Sequence, residues 1–246
     1  MFINAESIRS IYIQPIIWLL LAMGCLWLLR TPEYDVLSIH HNEPTVTMII
    51  DPIELQSISN FLTPDECEEL IRYTDEKYEP SFVVNGTELI YSNLRTSSSA
   101  ILLPEETELV ASIESRVAAF ANVSINQLEL LQTIRYTETE EIKAHHDYYN
   151  VEHAKRVNNQ RLYTMLIYLN TVDTQWGGAT HFVYFNKSFQ PVRGTALFWR
   201  NAFSMYDVDT LTLHVGQPVQ QEQKYVMSVW LKLNPDSIRL SIGSTS

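Results

Sequence analysis

Cysteine, glycine and basic side chains are all scarce in this chain. Two cysteines in 246 residues, Cys25 and Cys67, cannot build a disulfide framework or a zinc site of paired CxxC motifs. Seven glycines and ten prolines exclude collagen-like and low-complexity chains. Only 17 Lys and Arg stand against 29 Asp and Glu, a net charge of −12. That deficit of positive charge argues against nucleic acid as a partner, because such binding needs basic surface to displace counterions. No P-loop, GxSxG or dinucleotide fingerprint occurs, so the corresponding nucleotidase, hydrolase and dehydrogenase readings have no support. What is present is 46% hydrophobic and 11% aromatic residues together with seven histidines. This is enough apolar material for one large domain, or one domain with a short appendage.

The apolar material is unevenly placed. Residues 16–29 carry no charged or strongly polar side chain, and the run extends back to Ile11 with only Gln14 and Pro15 interrupting it. That approaches the ~20 residues a helix needs to span a bilayer. No small-x-small cleavage site follows Leu29; Arg30, Thr31 and Pro32 follow instead. The expectation is an uncleaved, single-pass membrane anchor over 1–30, in the endoplasmic reticulum or another secretory membrane if the source is eukaryotic. A tether over 31–50, a main domain over 51–236 and a C-terminal tail over 237–246 would follow. The whole acid excess lies beyond residue 30.

Local signals outline the main domain. A first strand is expected over 46–50. Thr63 is a natural N-cap, with Pro64 in the first turn and acids behind it where the helix dipole favours them. A second helix is expected from about Glu105 to Ala121, with Leu109, Ile113, Val117 and Phe120 on its apolar face. From Leu128 onward the pattern shifts to short β-rich runs at 128–136, 162–170, 180–185, 194–199, 211–215 and 224–232. Such runs separated by turn residues indicate an antiparallel sandwich or barrel. The fold class expected is α+β, with helices packed outside a double-sheet core.

One segment carries chemistry. In Ala144-His-His-Asp-Tyr-Tyr149, His145 and Asp147 are two apart, and in a strand residues i and i+2 share a face. His214 lies on a later β run. Two histidines and one carboxylate on one face of an octahedron form the facial triad of non-haem Fe(II) oxygenases, which leaves three positions open. H-x-D alone is weak, but Lys224 opens the run Lys224–Lys232. Alternation places Lys224, Val226, Ser228 and Trp230 on one face. A cation on an apolar face is costly unless it meets an anion, and the distal carboxylate of 2-oxoglutarate would be that anion. His40, His41, His146, His153 and His181 read as solvated, surface or other-layer residues, with His153 in a polar lid loop.

With these landmarks in view, the sequence resembles the 2-oxoglutarate- and Fe(II)-dependent dioxygenases of the prolyl 4-hydroxylase type from about Ile53 to Leu233. The match rests on Phe61-Leu-Thr-Pro-Asp-Glu-Cys67, Arg95-Thr-Ser-Ser-Ser99, His145-His-Asp-Tyr-Tyr149 and Arg161 through Tyr168-Leu169. It continues through Gly177-Gly-Ala-Thr180, Gly194-Thr-Ala-Leu-Phe-Trp199, His214, Pro218-Val219, Lys224 and Trp230. The resemblance implies a double-stranded β-helix (jelly-roll) core and the cofactors Fe(II), 2-oxoglutarate and O2, with ascorbate as reductant. It implies His145, Asp147 and His214 as iron ligands and Lys224 on the distal carboxylate, helped by Thr180. It also implies Tyr136 at the cosubstrate, Arg161 and Trp230 along the pocket and peptide groove, and Arg95 on a strand beside a substrate-covering loop.

Five positions depart from the family pattern. Thr139-Glu140 stand where Gly-Gln is common, Ile142 where a further tyrosine near the peptide is common, Gln217 in place of a cysteine, and Glu222 in place of a glycine. Ile142 bears on proline recognition, and Glu222, two residues from Lys224, on the anion site. The reading is hydroxylation of a peptidyl proline with decarboxylation of 2-oxoglutarate to succinate and CO2. The alternatives are a non-catalytic peptide-binding module and a dioxygenase acting on another side chain.

Overall fold

The computed structural model describes residues 43–85 and 88–234. The anchor expected over 1–30, most of the tether and the C-terminal tail lie outside them. No helix among the described residues is long and apolar enough to cross a membrane.

Two antiparallel sheets form the core. The larger has eight strands in the order β1 (Thr45–Ile50), β2 (Leu55–Ser59), β12 (Ala196–Arg200), β9 (Arg161–Tyr168), β14 (Lys224–Lys232), β7 (Gln132–Tyr136), β6 (Ser98–Ile101) and β3 (Glu79–Pro80). The smaller has four, in the order β11 (Lys187–Phe189), β10 (Thr180–Phe182), β13 (His214–Gly216) and β8 (Ile142–His145). A separate hairpin pairs β4 (Val83–Asn85) with β5 (Glu88–Ile90).

The period of two along the central strands sorts their side chains into two cores. Met165 and Ile167 of β9, Ala196 and Phe198 of β12, and Met227, Val229 and Leu231 of β14 pack outward against the helices. Tyr168, Leu197, Trp199 and Val226, from the alternate positions, face the smaller sheet and meet Phe182 and Val219. The alternation expected for 224–232 is therefore observed, with Lys224 and Ser228 buried on the inner face.

Helix α1 (Pro64–Thr74) begins at Thr63, whose side chain accepts from Glu66 N while its own N–H donates to the Glu66 carboxylate, a reciprocal capping box. Helix α2 (Glu108–Ala121) buries Val110, Ile113 and Val117 and sends Arg116 to the same Glu66, tying the two helices together. Its start corrects the expectation of Glu105. That residue sits at φ +56, outside helical backbone, and Thr107 caps the helix by accepting from Val110 N. The lid loop expected around His153 is instead a short helix, α3 (Val151–Val157), capped by Asn150. The run expected to begin at 211 becomes strand only at His214, because Asp209 caps a tight 3-10 turn over Thr210–Thr212. At Gly194 (φ +79) a Cβ would stand 2.3 Å from the Leu62 carbonyl oxygen. Only glycine lets the loop before β12 pass this close to the entry of α1.

Candidate active site

Strands β8 and β13 are neighbours, and His145 pairs directly with His214. Their rings lie 4.2 Å apart between centroids. The strand ends at His145, so Asp147 lies in the bend that follows rather than in the strand itself; its carboxylate nevertheless reaches the same point. Asp147 Oδ1 is 3.5 Å from His145 Nε2, and Oδ2 is 3.9 Å from His214 Nε2. One ligand atom from each of the three residues lies within 4.8 Å of the others.

The surroundings prepare these atoms for a cation. His145 Nδ1 is 2.8 Å from the Lys143 carbonyl and His214 Nδ1 is 2.9 Å from the Thr212 carbonyl. A carbonyl only accepts, so Nδ1 carries the proton in each ring and Nε2 keeps its lone pair, as metal-binding histidines require. Burial among Phe182 and Trp199 pushes His214 down to about 4, with His145 adding to the effect and Asp147 opposing it. Burial also opposes ionisation of Asp147, but the two imidazoles and Arg161 outweigh it and hold the carboxyl well below the usual range. Two imidazoles and one carboxylate meeting at one point fit a divalent first-row metal.

Lys224 lies in the same space between the sheets. It is 2% exposed and forms no ion pair with any described residue. Burial alone pushes its ammonium down to about 7. The Nζ sits 5.2 Å from the Tyr136 ring, its register partner on β7, and 5.9 Å from the Tyr168 ring. Tyr168 donates to Thr180 Oγ1 at 2.9 Å. A buried cation without a counter-ion is costly, and an incoming anion would relieve that cost. Glu222 does not intrude: the chain bends ahead of β14 and leaves it exposed. Tyr168 is a landmark of the family resemblance in the sequence, but its bond to Thr180 forms only across the interior.

Arg161 and Trp230 come together, the guanidinium carbon 3.8 Å from the indole centre. Arg161 is already engaged, with Nε and Nη2 donating to the two Glu129 oxygens at 2.8 and 2.7 Å. Tyr149 donates to the same carboxylate. Burial would lower Arg161, but Glu129 outweighs it and holds it above its ordinary value. Arg95 donates only to neutral oxygens, those of Ser97, Ser99 and Gln132, and burial lowers it. It borders a cleft of about 660 Å³ built from Pro80–Ser81 and Tyr91–Ser97. None of the three candidate ligands lines that cleft. His146 turns away to the Thr210 carbonyl and His181 to Ser188, as their alternation implies.

Two departures from the family pattern acquire physical meaning here. Ile142 stands opposite Gly216, where a Cβ would meet its Cγ2 at 2.7 Å. Thr139, where glycine is common, sits at φ +69 in the turn closed by Glu140 N to the Thr137 carbonyl. Left-handed backbone costs an L-residue about 1–2 kcal/mol, and glycine returns roughly 0.5–1 kcal/mol of that through the entropy it loses on folding. Thr139→Gly is therefore expected to stabilise the protein by about 0.5–1 kcal/mol, a rise in Tm of roughly 1–4 °C in thermal unfolding.

Comparison with known proteins agrees with this geometry. Residues 131–232 match the family model described as the 2OG-Fe(II) oxygenase superfamily. Prolyl 4-hydroxylase 1 of Arabidopsis thaliana is 30% identical over 193 residues, covering 71% of this chain and 67% of that protein. Prolyl 4-hydroxylase subunit alpha-3 of Homo sapiens is 26% identical over 228 residues, 89% of this chain but only 40% of the human one, so the chain spans about two-fifths of that relative. Among solved structures, the 2OG complex of a viral collagen prolyl hydroxylase from Paramecium Bursaria Chlorella virus-1 superposes with a TM-score of 0.60 at 25% identity. The match covers 72% of this chain and 95% of that one.

Proposed function

Because the chain belongs to the prolyl 4-hydroxylase type of 2-oxoglutarate- and Fe(II)-dependent dioxygenases, we propose that it hydroxylates proline residues in peptides. The reaction is coupled to oxidative decarboxylation of 2-oxoglutarate to succinate and CO2. The observation that carries this reading is the meeting of His145 Nε2, His214 Nε2 and the Asp147 carboxylate in one interior with a buried lysine that pairs with no described carboxylate. Ferrous iron bound there would supply the activation of dioxygen, with ascorbate as the reductant that keeps it ferrous.

The chain's own residues do the positioning. His145, Asp147 and His214 hold the ion and leave the rest of its coordination sphere to ligands from solution. Lys224 takes the distal carboxylate of 2-oxoglutarate, with the Thr180 hydroxyl beside it and Tyr136 forming the wall. Phe182 and Trp199 exclude water from the His214 side, which strengthens each electrostatic contact. Arg95 and the indole N–H of Trp230, which is buried without an acceptor, are donors suited to the carbonyls of an extended peptide. The acid excess favours an uncharged or basic peptide. We read residues 51–236 as the catalytic domain, its two sheets forming the walls of a double-stranded β-helix, and the apolar run 16–29 as a single-pass anchor in a secretory membrane.

The test incubates the full-length chain with Fe(II), 2-oxoglutarate, ascorbate and a panel of proline-containing peptides. Stoichiometric succinate and a gain of one oxygen atom located on proline by fragmentation are expected. Oxygen on another side chain would shift the substrate, and Ile142 is the departure that would explain it. Bound iron with no succinate for any peptide would leave a peptide-binding module.

A further inference from the structure

Thr164 lies mid-strand on β9, 1% exposed, between its register partners Trp199 and Trp230. Its hydroxyl has one proton and two polar neighbours: Asp147 Oδ2 at 2.7 Å and Asn201 Nδ2 at 2.8 Å. A metal-binding carboxylate is ionised and can only accept. The proton of Thr164 therefore points at Asp147 Oδ2, and its lone pair must receive an N–H. That requirement fixes the amide of Asn201, with nitrogen toward Thr164 and oxygen away. Turned over, Asn201 and Asp147 would present two acceptors to one hydroxyl. The observed arrangement leaves Asn201 Oδ1 buried without a partner, a cost borne in favour of the bond to Thr164. The backbone of Asn201 is itself pinned, its N–H to the Leu162 carbonyl at 2.6 Å and its carbonyl by Asp209 N at 2.8 Å.

We propose that Thr164 and Asn201 are positioning residues that engage Asp147 Oδ2 in a hydrogen bond and so would leave Oδ1 as the oxygen offered to the metal. A carboxylate binding through both oxygens would occupy one of the positions that 2-oxoglutarate and dioxygen need. The relay fixes not only where Asp147 stands but how many oxygens it offers. It rests on the oxygenase reading above and adds to it a pair of residues that touch neither substrate nor metal.

The experiment titrates the metal-free full-length chain with Co(II), following the visible d–d absorption and the dissociation constant, alongside the Tm of each metal-free protein. Thr164→Val, similar in shape, is expected to weaken Co(II) binding by about 10–100-fold, the usual effect of losing an outer-shell partner, and to change the absorption as the second oxygen joins. Thr164→Ser keeps the hydroxyl and is expected to restore both. Asn201→Leu removes the donor that aims Thr164 and is expected to shift both readings in the same direction by less; it carries the test if Thr164→Val does not fold. Wild-type affinity and spectrum in folded Thr164→Val, or no rescue by serine, overturn the relay alone. A wild-type chain that binds no Co(II) overturns the metal site, and the relay with it.

Discussion

Alanine in place of Asp147 is expected to reduce iron-dependent succinate release by more than ~100-fold, beyond the range that loss of an outer-shell partner produces. Asp147 is the only anionic member of the cluster His145, Asp147 and His214. Without it, two neutral imidazoles face the ion and nothing offsets its charge in a wall of Phe182 and Trp199. His214→Ala is expected to fall as far, because it removes the ligand that pairs across the sheet with His145. His146→Ala is the control. Its ring is adjacent in sequence but bonded to the Thr210 carbonyl on the other side of the chain, and activity within twofold of wild type is expected. Metal content by elemental analysis, measured beside succinate, distinguishes loss of the ion from loss of turnover. A His146 variant as inactive as the Asp147 one would invalidate the ligand assignment.

Lys224→Met is expected to weaken 2-oxoglutarate while leaving metal binding in place. Truncating one partner of a buried, hydrogen-bonded charge pair costs about 2–5 kcal/mol, here the cost of leaving the distal carboxylate unpaired. This corresponds to a rise in the dissociation constant of ~30-fold to ~4,000-fold, measurable by calorimetry with a redox-inert metal in place of iron. The same lysine sets a pH dependence. In the free protein, burial brings its ammonium down to about 7. An incoming carboxylate favours the charged form, so binding above pH 7 must take up a proton. Affinity is therefore expected to be level below pH 7 and to fall as pH rises past it, and Lys224→Met should flatten that fall. For folding the sign is opposite. An unfolded chain retains this proton up to about 10.4 while the folded one releases it near 7, so the lysine's burial penalty is full below 7 and fades as pH rises through that window.

The candidate site was legible in the sequence where its residues lie close along the chain, and illegible where it depends on contacts across the interior. His145 and Asp147 declare themselves by spacing, and Lys224 by a cation on an otherwise apolar strand face. Thr63 and Pro64 likewise mark a helix start, and the structure adds only the return bond from Glu66. Thr164 and Asn201 are different. They are 37 residues apart and ordinary in type, and the hydroxyl–amide bond between them exists only once β9 and β12 have paired. Glu129 and Arg161 meet in the same way across 32 residues. The misplaced start of α2 has a local cause that periodicity does not report, a left-handed residue at Glu105 followed by a cap at Thr107. An apolar spacing says which face is buried, but not at which residue the backbone enters the helix.

Strands β9 and β14 each carry two messages interleaved residue by residue. One set, Met165, Ile167, Met227 and Val229, addresses the helices; the other, Thr164, Tyr168, Lys224 and Val226, addresses the interior between the sheets. Because the period is two, inserting or deleting a single residue in either strand would exchange the messages. Lys224 would then be driven among the helix contacts, and a methionine or isoleucine would point into that interior. The length of these two segments is thus as fixed as the identity of any ligand, and changes of length in relatives of this chain belong in its turns.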